Sequence, residues 1–234
     1  YKNQKGTNSI MRKRVLVAQS GGPTVAINAS LAGVIAGVVR SGEYERIIGA
    51  ANGILGVLNE RFTDLSIFEN DVKAGNDSIS DIVTSGNDDV QKAWCPKSKL
   101  DRLAVTPSMY LGSCRFKLPF YEEDSRLYEK IFAILDKNDI GMFFYIGGND
   151  SMDTVSKLSR YAAQTGSDIR ILGEPKTIDN DLIHTDHTPG FGSAARYVAS
   201  TVREITIDAN VYEKKSVTII EIMGRHAGWL TAAS

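Results

Sequence analysis

Cysteine and histidine are scarce in this sequence: Cys95 and Cys114 are the only thiols, and His184, His187 and His226 the only imidazoles, among 234 residues. The two cysteines stand in no CxxC spacing, which excludes a disulfide framework and a structural zinc site and fits a reducing, cytoplasmic setting; both read as buried or neutral thiols. The three histidines have no metal spacing and read as loop or substrate contacts. Excess charge of either sign is missing too. With 27 Lys+Arg against 28 Asp+Glu the formal charge is -1, so there is no basic field to hold nucleic acid, and anionic partners must be met locally. No apolar run is long enough for a membrane span, and the N-terminus lacks a basic-then-apolar export signal. No GxxxxGK[ST] occurs, which removes the P-loop class.

What is present is alternation. Arg14 to Gln19 reads as a strand, then comes Ser20-Gly21-Gly22-Pro23, then a helical stretch from Val25 to Arg40. Strands are expected at Arg46 to Ala51, Met142 to Ile146, Ile169 to Leu172 and Val217 to Ile222. Helices are expected at Asp124 to Lys137, Met152 to Ala163 and Ser193 to Val211. This order predicts an α/β fold with a mostly parallel sheet covered on both faces, whose ligands lie beyond the carboxyl ends of the strands. Asp64 to Pro107 has no sustained period and reads as surface excursions with one short helix near Ser80 to Thr84. Residues 1-10 read as a polar leader ahead of a natural start at Met11. Gly228 to Ser234 reads as a helix that stops without a cap, so the chain reads as partial. The domain boundary is placed near Pro189 to Gly192, giving 11-189 as one α/β domain and 190-234 as the start of a second.

Four loops after strands carry chemistry. The Gly21-Gly22 turn lets backbone N–H groups approach an anion at a helix start, although a paired glycine there can equally be only a tight turn. Gly147-Gly148-Asn149-Asp150-Ser151 repeats that logic, with the alternative that Asp150 or Ser151 is just an N-cap. Glu174-Pro175-Lys176-Thr177-Ile178-Asp179-Asn180-Asp181 sets carboxylates and a lysine after a buried strand. One carboxylate there can take the proton of an attacking hydroxyl, another can hold hydrated Mg²⁺, and the lysine can neutralise a transferring phosphoryl group; the alternative is a solvated acidic turn. Glu221-Ile222-Met223-Gly224-Arg225 adds a fixed cation suited to phosphate or carboxylate, or simply a surface charge. Gly190 to Ala195 matches GxGxxA but follows no apolar strand, so a dinucleotide site is not expected there.

Taken together, SGG at Ser20, LGSCRF at Leu111, GGND at Gly147, PKTIDND at Pro175 and EIMGR at Glu221 resemble the phosphofructokinase family, in the family's order and from Arg14 to the last residue. The resemblance implies two Rossmann-like three-layer domains, the second incomplete, and transfer of a phosphoryl group to the 1-hydroxyl of fructose 6-phosphate with Mg²⁺. By position it implies Asp179 as base with Thr177 beside it at the sugar. Gly22, Arg115 and Gly148 become donor-phosphate contacts, Met223, Gly224 and Arg225 sugar-phosphate contacts, and Asn149 and Asp181 the metal positions. A homo-oligomer is also implied.

The same resemblance bears on the donor. ATP-using members usually have glycine where this chain has Asp150 and Lys176, and the pair resembles the pyrophosphate-using branch. A carboxylate at Asp150 would meet a nucleotide α-phosphate, and like charges ~4 Å apart at a dielectric near 20 repel by about 4 kcal/mol. Lys176 would stabilise pyrophosphate instead. Two positions depart from the family pattern: Asn149 replaces a usual aspartate, a weaker Mg²⁺ partner, and Ser216, beside Lys214 and Lys215, replaces an arginine that reaches a neighbouring subunit. The competing readings are an ATP-dependent 6-phosphofructokinase and a non-catalytic regulatory subunit or sugar-phosphate sensor.

Overall fold

The apolar run at Arg14–Gln19 forms β1, fully buried from Val15 onward, and takes the centre of a five-stranded sheet. The computed structural model describes residues 14–76 and 96–234. The expected leader and Met11 start, the short helix at Ser80 to Thr84, and Cys95 lie outside them. From β1 the chain runs through α1 (Ile27–Ser41), β2 (Arg46–Ala50), α2 (Gly53–Leu58) and β3 (Phe62–Asp64). It continues through α3 (Glu69–Lys73), α4 (Lys99–Val105) and α5 (Ser125–Lys137) to β4 (Ile140–Gly147). Then follow α6 (Asn149–Thr165), β5 (Arg170–Pro175), α7 (Phe191–Ala209) and α8 (Trp229–Ala233).

The strand order is β3-β2-β1-β4-β5, parallel except for the antiparallel β3 at one edge. Helices cover both faces, as the alternation required. On one face α2, α5 and α6 enclose Leu16, Ala18, Ile54, Tyr128, Ile131 and Leu158. On the other, α1, α3 and α4 enclose Val15, Val17, Leu31, Ile35, Leu100 and Ile146. A third, small cluster of Phe191, Ala195 and Leu230 stands apart from these two, with Ile178 and Ile222 packed on it. The chain moves outward from β1 to β2 on one side and crosses to β4 on the other. The β1/β4 boundary is therefore the switch point of the sheet, where the loops leaving two adjacent strands part to opposite faces and open a crevice.

One expected strand is absent. Val217 to Ile222 has no regular structure and pairs with no strand among the described residues, and Val217 and Ile219 are 90% and 92% exposed. An apolar alternation becomes a strand only when a neighbour takes up its N–H and C=O groups, and none does here. Conversely, α2, β3, α3 and α4 lie in stretches with no clear period. The α4 start does carry a readable signal: Ser98 and Asp101 form a reciprocal capping box.

Candidate active site

Three strand ends meet at the switch point. Ser20 N–H donates to the Ile146 carbonyl at 2.9 Å, and Lys176 N–H to the Gly147 carbonyl at 2.8 Å, so the turns after β1, β4 and β5 are hydrogen-bonded side by side. Gly21 has φ +84, and a Cβ there would lie 3.3 Å from the Gly148 nitrogen and 3.9 Å from Lys176 Nζ. Only a residue without a side chain lets these backbones come so close. Lys176 Nζ donates to the Gly22 carbonyl at 2.5 Å, and the lysine is 6% exposed. Burial pushes its ammonium below the usual lysine range, while the nearby Asp179 carboxylate pulls it back up.

The helices leaving these turns start without side-chain caps. Ala26 precedes α1 and Gly148 precedes α6, and neither offers a capping oxygen. No capping side chain therefore competes with an anion at these helix starts, where the helix dipoles also favour negative charge, although the Ser151 N–H already donates to the Gly148 carbonyl at 2.9 Å. The capping role considered for Asp150 and Ser151 is not what the structure has. Both sit inside the first turn of α6, Asp150 exposed and Ser151 buried, and no side chain caps the helix.

The loop after β5 is folded around Asn180, which takes a left-handed backbone (φ 57) and bridges its own loop. Its amide donates to the Asp186 carbonyl at 3.0 Å and accepts from Thr188 N–H at 2.9 Å. Thr177 Oγ accepts from Asp179 N–H at 3.0 Å. Asp179 Oδ1 is buried with no hydrogen-bond partner, as are the hydroxyls of Thr24 and Thr188. A buried carboxylate oxygen left unpaired is costly in a folded chain and marks a place prepared for another donor. Asn149 Nδ2 reaches Asp181 Oδ2 at 3.4 Å, which joins the α6 start to the same loop.

Arg115 is exposed on an irregular segment that the structure ties to the β1 turn. Ser113 Oγ donates to the Gly21 carbonyl at 2.6 Å and Ser20 Oγ to the Cys114 carbonyl at 3.3 Å. Behind it lies a buried amide network that the sequence reading did not pick out. Gln19 Nε2 donates to Asn28 Oδ1 (3.1 Å) while Leu111 N–H donates to Gln19 Oε1 (2.9 Å). Tyr110 N–H donates to Asn28 Oδ1 at 2.9 Å. The available signal was a Gln and an Asn standing inside otherwise apolar runs.

Met223, Gly224 and Arg225 are the least integrated. They follow Ile222, which packs on the cluster that also receives Ile178, but Met223 is 72% exposed and Arg225 is exposed with a left-handed backbone (φ 51). So Gly22, Gly148, Asn149, Asp150, Lys176, Thr177, Asp179 and Asp181 gather at one edge and Arg115 borders it, while the 223–225 turn is linked to them only through Ile222 and Ile178 on the small cluster.

The family model for phosphofructokinase matches residues 14–234. This chain belongs to the phosphofructokinase family. Among phosphofructokinase relatives it is 43% identical over 222 residues to a pyrophosphate–fructose 6-phosphate 1-phosphotransferase of Xanthomonas campestris, covering 94% of this chain and 46% of that one. It is 40% identical to the protein of the same description from Rhodospirillum rubrum, covering 96% and 47%. The crystal structure of a pyrophosphate-dependent phosphofructokinase from Nitrosospira multiformis superposes with a TM-score of 0.73 at 39% identity, over 95% of this chain and 49% of that one. An ATP-dependent 6-phosphofructokinase of Aliivibrio salmonicida is 29% identical over 221 residues. The chain spans about half the length of the pyrophosphate-dependent relatives. Among the described residues no helix is long and apolar enough to cross a membrane.

Proposed function

We propose that this chain carries the donor site and the catalytic base of a pyrophosphate-dependent 6-phosphofructokinase, with residues 190–234 opening the sugar-phosphate domain. The observation that carries the reading is the buried Lys176 ammonium, bonded to the Gly22 carbonyl, beside Gly21 where that turn meets Gly148, and within electrostatic reach of Asp179. A cation held between two glycine turns and a carboxylate suits a small, highly charged donor and leaves no need for a nucleoside to anchor it.

In this reading the uncapped starts of α1 and α6, with Arg115 at the rim, bind pyrophosphate by backbone N–H groups and a guanidinium. Thr177 and the 223–225 turn orient fructose 6-phosphate. The unpaired Asp179 carboxylate accepts the proton of the sugar 1-hydroxyl as that oxygen attacks the nearer phosphorus of pyrophosphate. The new O–P bond gives fructose 1,6-bisphosphate, the bridging P–O bond breaks, and inorganic phosphate leaves. Lys176 offsets charge on the transferring group.

Mg²⁺ is part of the proposal. Asp181, with the Asn149 amide beside it, offers oxygen donors of the kind that hard cation takes, one carboxylate and a carbonyl supplemented by water and phosphate. When bound, the ion would neutralise donor charge. The protein would act as a homo-oligomer in the cytoplasm, a compartment that the scarcity of cysteine and the free Cys114 thiol fit. The test is to incubate the full-length protein with fructose 6-phosphate, Mg²⁺ and pyrophosphate and measure fructose 1,6-bisphosphate. Stoichiometric release of phosphate with product is expected, and binding of the sugar without turnover would instead identify a sensor.

A further inference from the structure

A buried lysine far along α6 has no place in the chemistry above. Lys157 lies two turns beyond the donor turn, about 12 Å along the helix from Asn149 at 1.5 Å per residue, and is 5% exposed. Burying an ammonium is costly unless it is paired and hydrogen-bonded, whereas a Met of similar length would fill the same space without that cost. All its partners but one come from the irregular segment that carries Arg115. Lys157 Nζ donates to the Leu118 carbonyl at 2.8 Å and lies 4.4 Å from the centre of the Phe120 ring. The remaining partner is Asp153, one turn back on the helix, at 2.7 Å.

The segment from Thr106 to Asp124 contains no strand or helix, and the carbonyls on either side of Arg115 are held by side chains. Ahead of Arg115 the anchors are Asn52 on the Ser113 carbonyl (3.1 Å) and Ser20 on the Cys114 carbonyl. Beyond it they are Lys157 on Leu118 and the Tyr128 hydroxyl on the Pro119 carbonyl (2.6 Å). Arg115 thus sits on a short span pinned at Cys114 and at Leu118, and Lys157 makes the second pin. It couples that span to the helix whose first turn faces the same edge.

We infer that Lys157 is a positioning residue for Arg115, holding the guanidinium against the donor through the Leu118 carbonyl. This rests on the reading of Arg115 as a donor-phosphate contact. The test compares Lys157→Met, Lys157→Arg, Arg115→Ala and the Lys157→Met/Arg115→Ala double variant in the full-length protein, by pyrophosphate titration calorimetry and steady-state kinetics. Lys157→Met is expected to raise the pyrophosphate Kd and KM roughly tenfold, the lower end of what residues that orient a metal ion's direct ligands are worth. The fructose 6-phosphate KM stays unchanged, and Lys157→Arg recovers most of the loss. In the Arg115→Ala background Lys157→Met adds nothing further. If Lys157→Met does not fold, Asp153→Asn, at the exposed partner, should shift the pyrophosphate KM in the same direction by less. A lowered melting temperature with unchanged pyrophosphate affinity, or a full Lys157→Met penalty without Arg115, overturns the inference alone. An Arg115→Ala variant that binds pyrophosphate normally overturns both this inference and the donor role of Arg115.

Discussion

Lys176 Nζ donates to the Gly22 carbonyl at 2.5 Å across 154 positions of sequence, joining the turn after β5 to the turn after β1. The bond exists because β4 separates those strands in the sheet while ending in a glycine pair that leaves room above it. The same ammonium is desolvated by its burial and faces Asp179, so its charge state belongs to the site as much as its position.

The alkaline response follows from the sign of that shift. Lys176 has its folded pKa lowered below the ordinary 10.5, so the unfolded chain binds more protons in the window between the lowered value and 10.5. Through that window stability rises with pH, because the cost of burying the charge disappears as the group neutralises. Comparing melting temperatures of wild type and Lys176→Met therefore should show the difference moving in favour of wild type as pH rises toward 10.5. Activity should fall over the same window, since the neutral amine no longer offsets donor charge.

Asp179→Asn should lower kcat by ~10²–10⁴, the usual worth of a positioned base. Because Asp179 Oδ1 has no partner in the folded chain, the change removes no hydrogen bond at that oxygen. Losing the carboxylate that favours the buried Lys176 ammonium should lower the melting temperature slightly, and a variant that keeps full kcat would take the base role from Asp179.

Gly147→Ala probes the turn itself. A Cβ at Gly147 would overlap the buried Ser151 hydroxyl and fall 2.8 Å from the Ser20 carbonyl oxygen. Neither the β1 turn nor the first turn of α6 can give way alone, so a loss of about 1–3 kcal/mol is expected, as for other overpacked sites. Denaturant unfolding measures it, and pyrophosphate binding should fail with it.

Much of this was legible in the sequence. β1, β4 and the helices after them announce themselves by apolar runs broken at glycine, and the four loops by charge at strand ends. The Gln19–Asn28 network was not, because isolated amides inside apolar stretches declare no partner until Leu111 and Tyr110 are brought to them. Lys157 was hidden for the same reason, as one basic residue among many on an amphipathic helix. Val217 to Ile222 misled because alternation states which face is apolar but not whether a neighbouring strand is there to complete it.

Asp150 sets the expected size of donor discrimination. The carboxylate is exposed in the first turn of α6, so screening pulls its repulsion of a nucleotide α-phosphate below the partly buried figure. At ~4 Å the bounds are about 1 kcal/mol in water and about 4 kcal/mol at a dielectric of 20. Asp150→Gly should then improve ATP use by roughly five- to a thousandfold at 1.36 kcal/mol per decade, with KM and kcat for ATP as the measurement. No gain would remove Asp150 from donor selection.

The central claim is that the pocket built by Gly22, Gly148 and Lys176 is made for pyrophosphate. Its most direct test is kcat/KM of the full-length protein for pyrophosphate and for ATP, each with saturating fructose 6-phosphate and Mg²⁺. The account predicts a clear preference for pyrophosphate; an equal or higher value with ATP would contradict it.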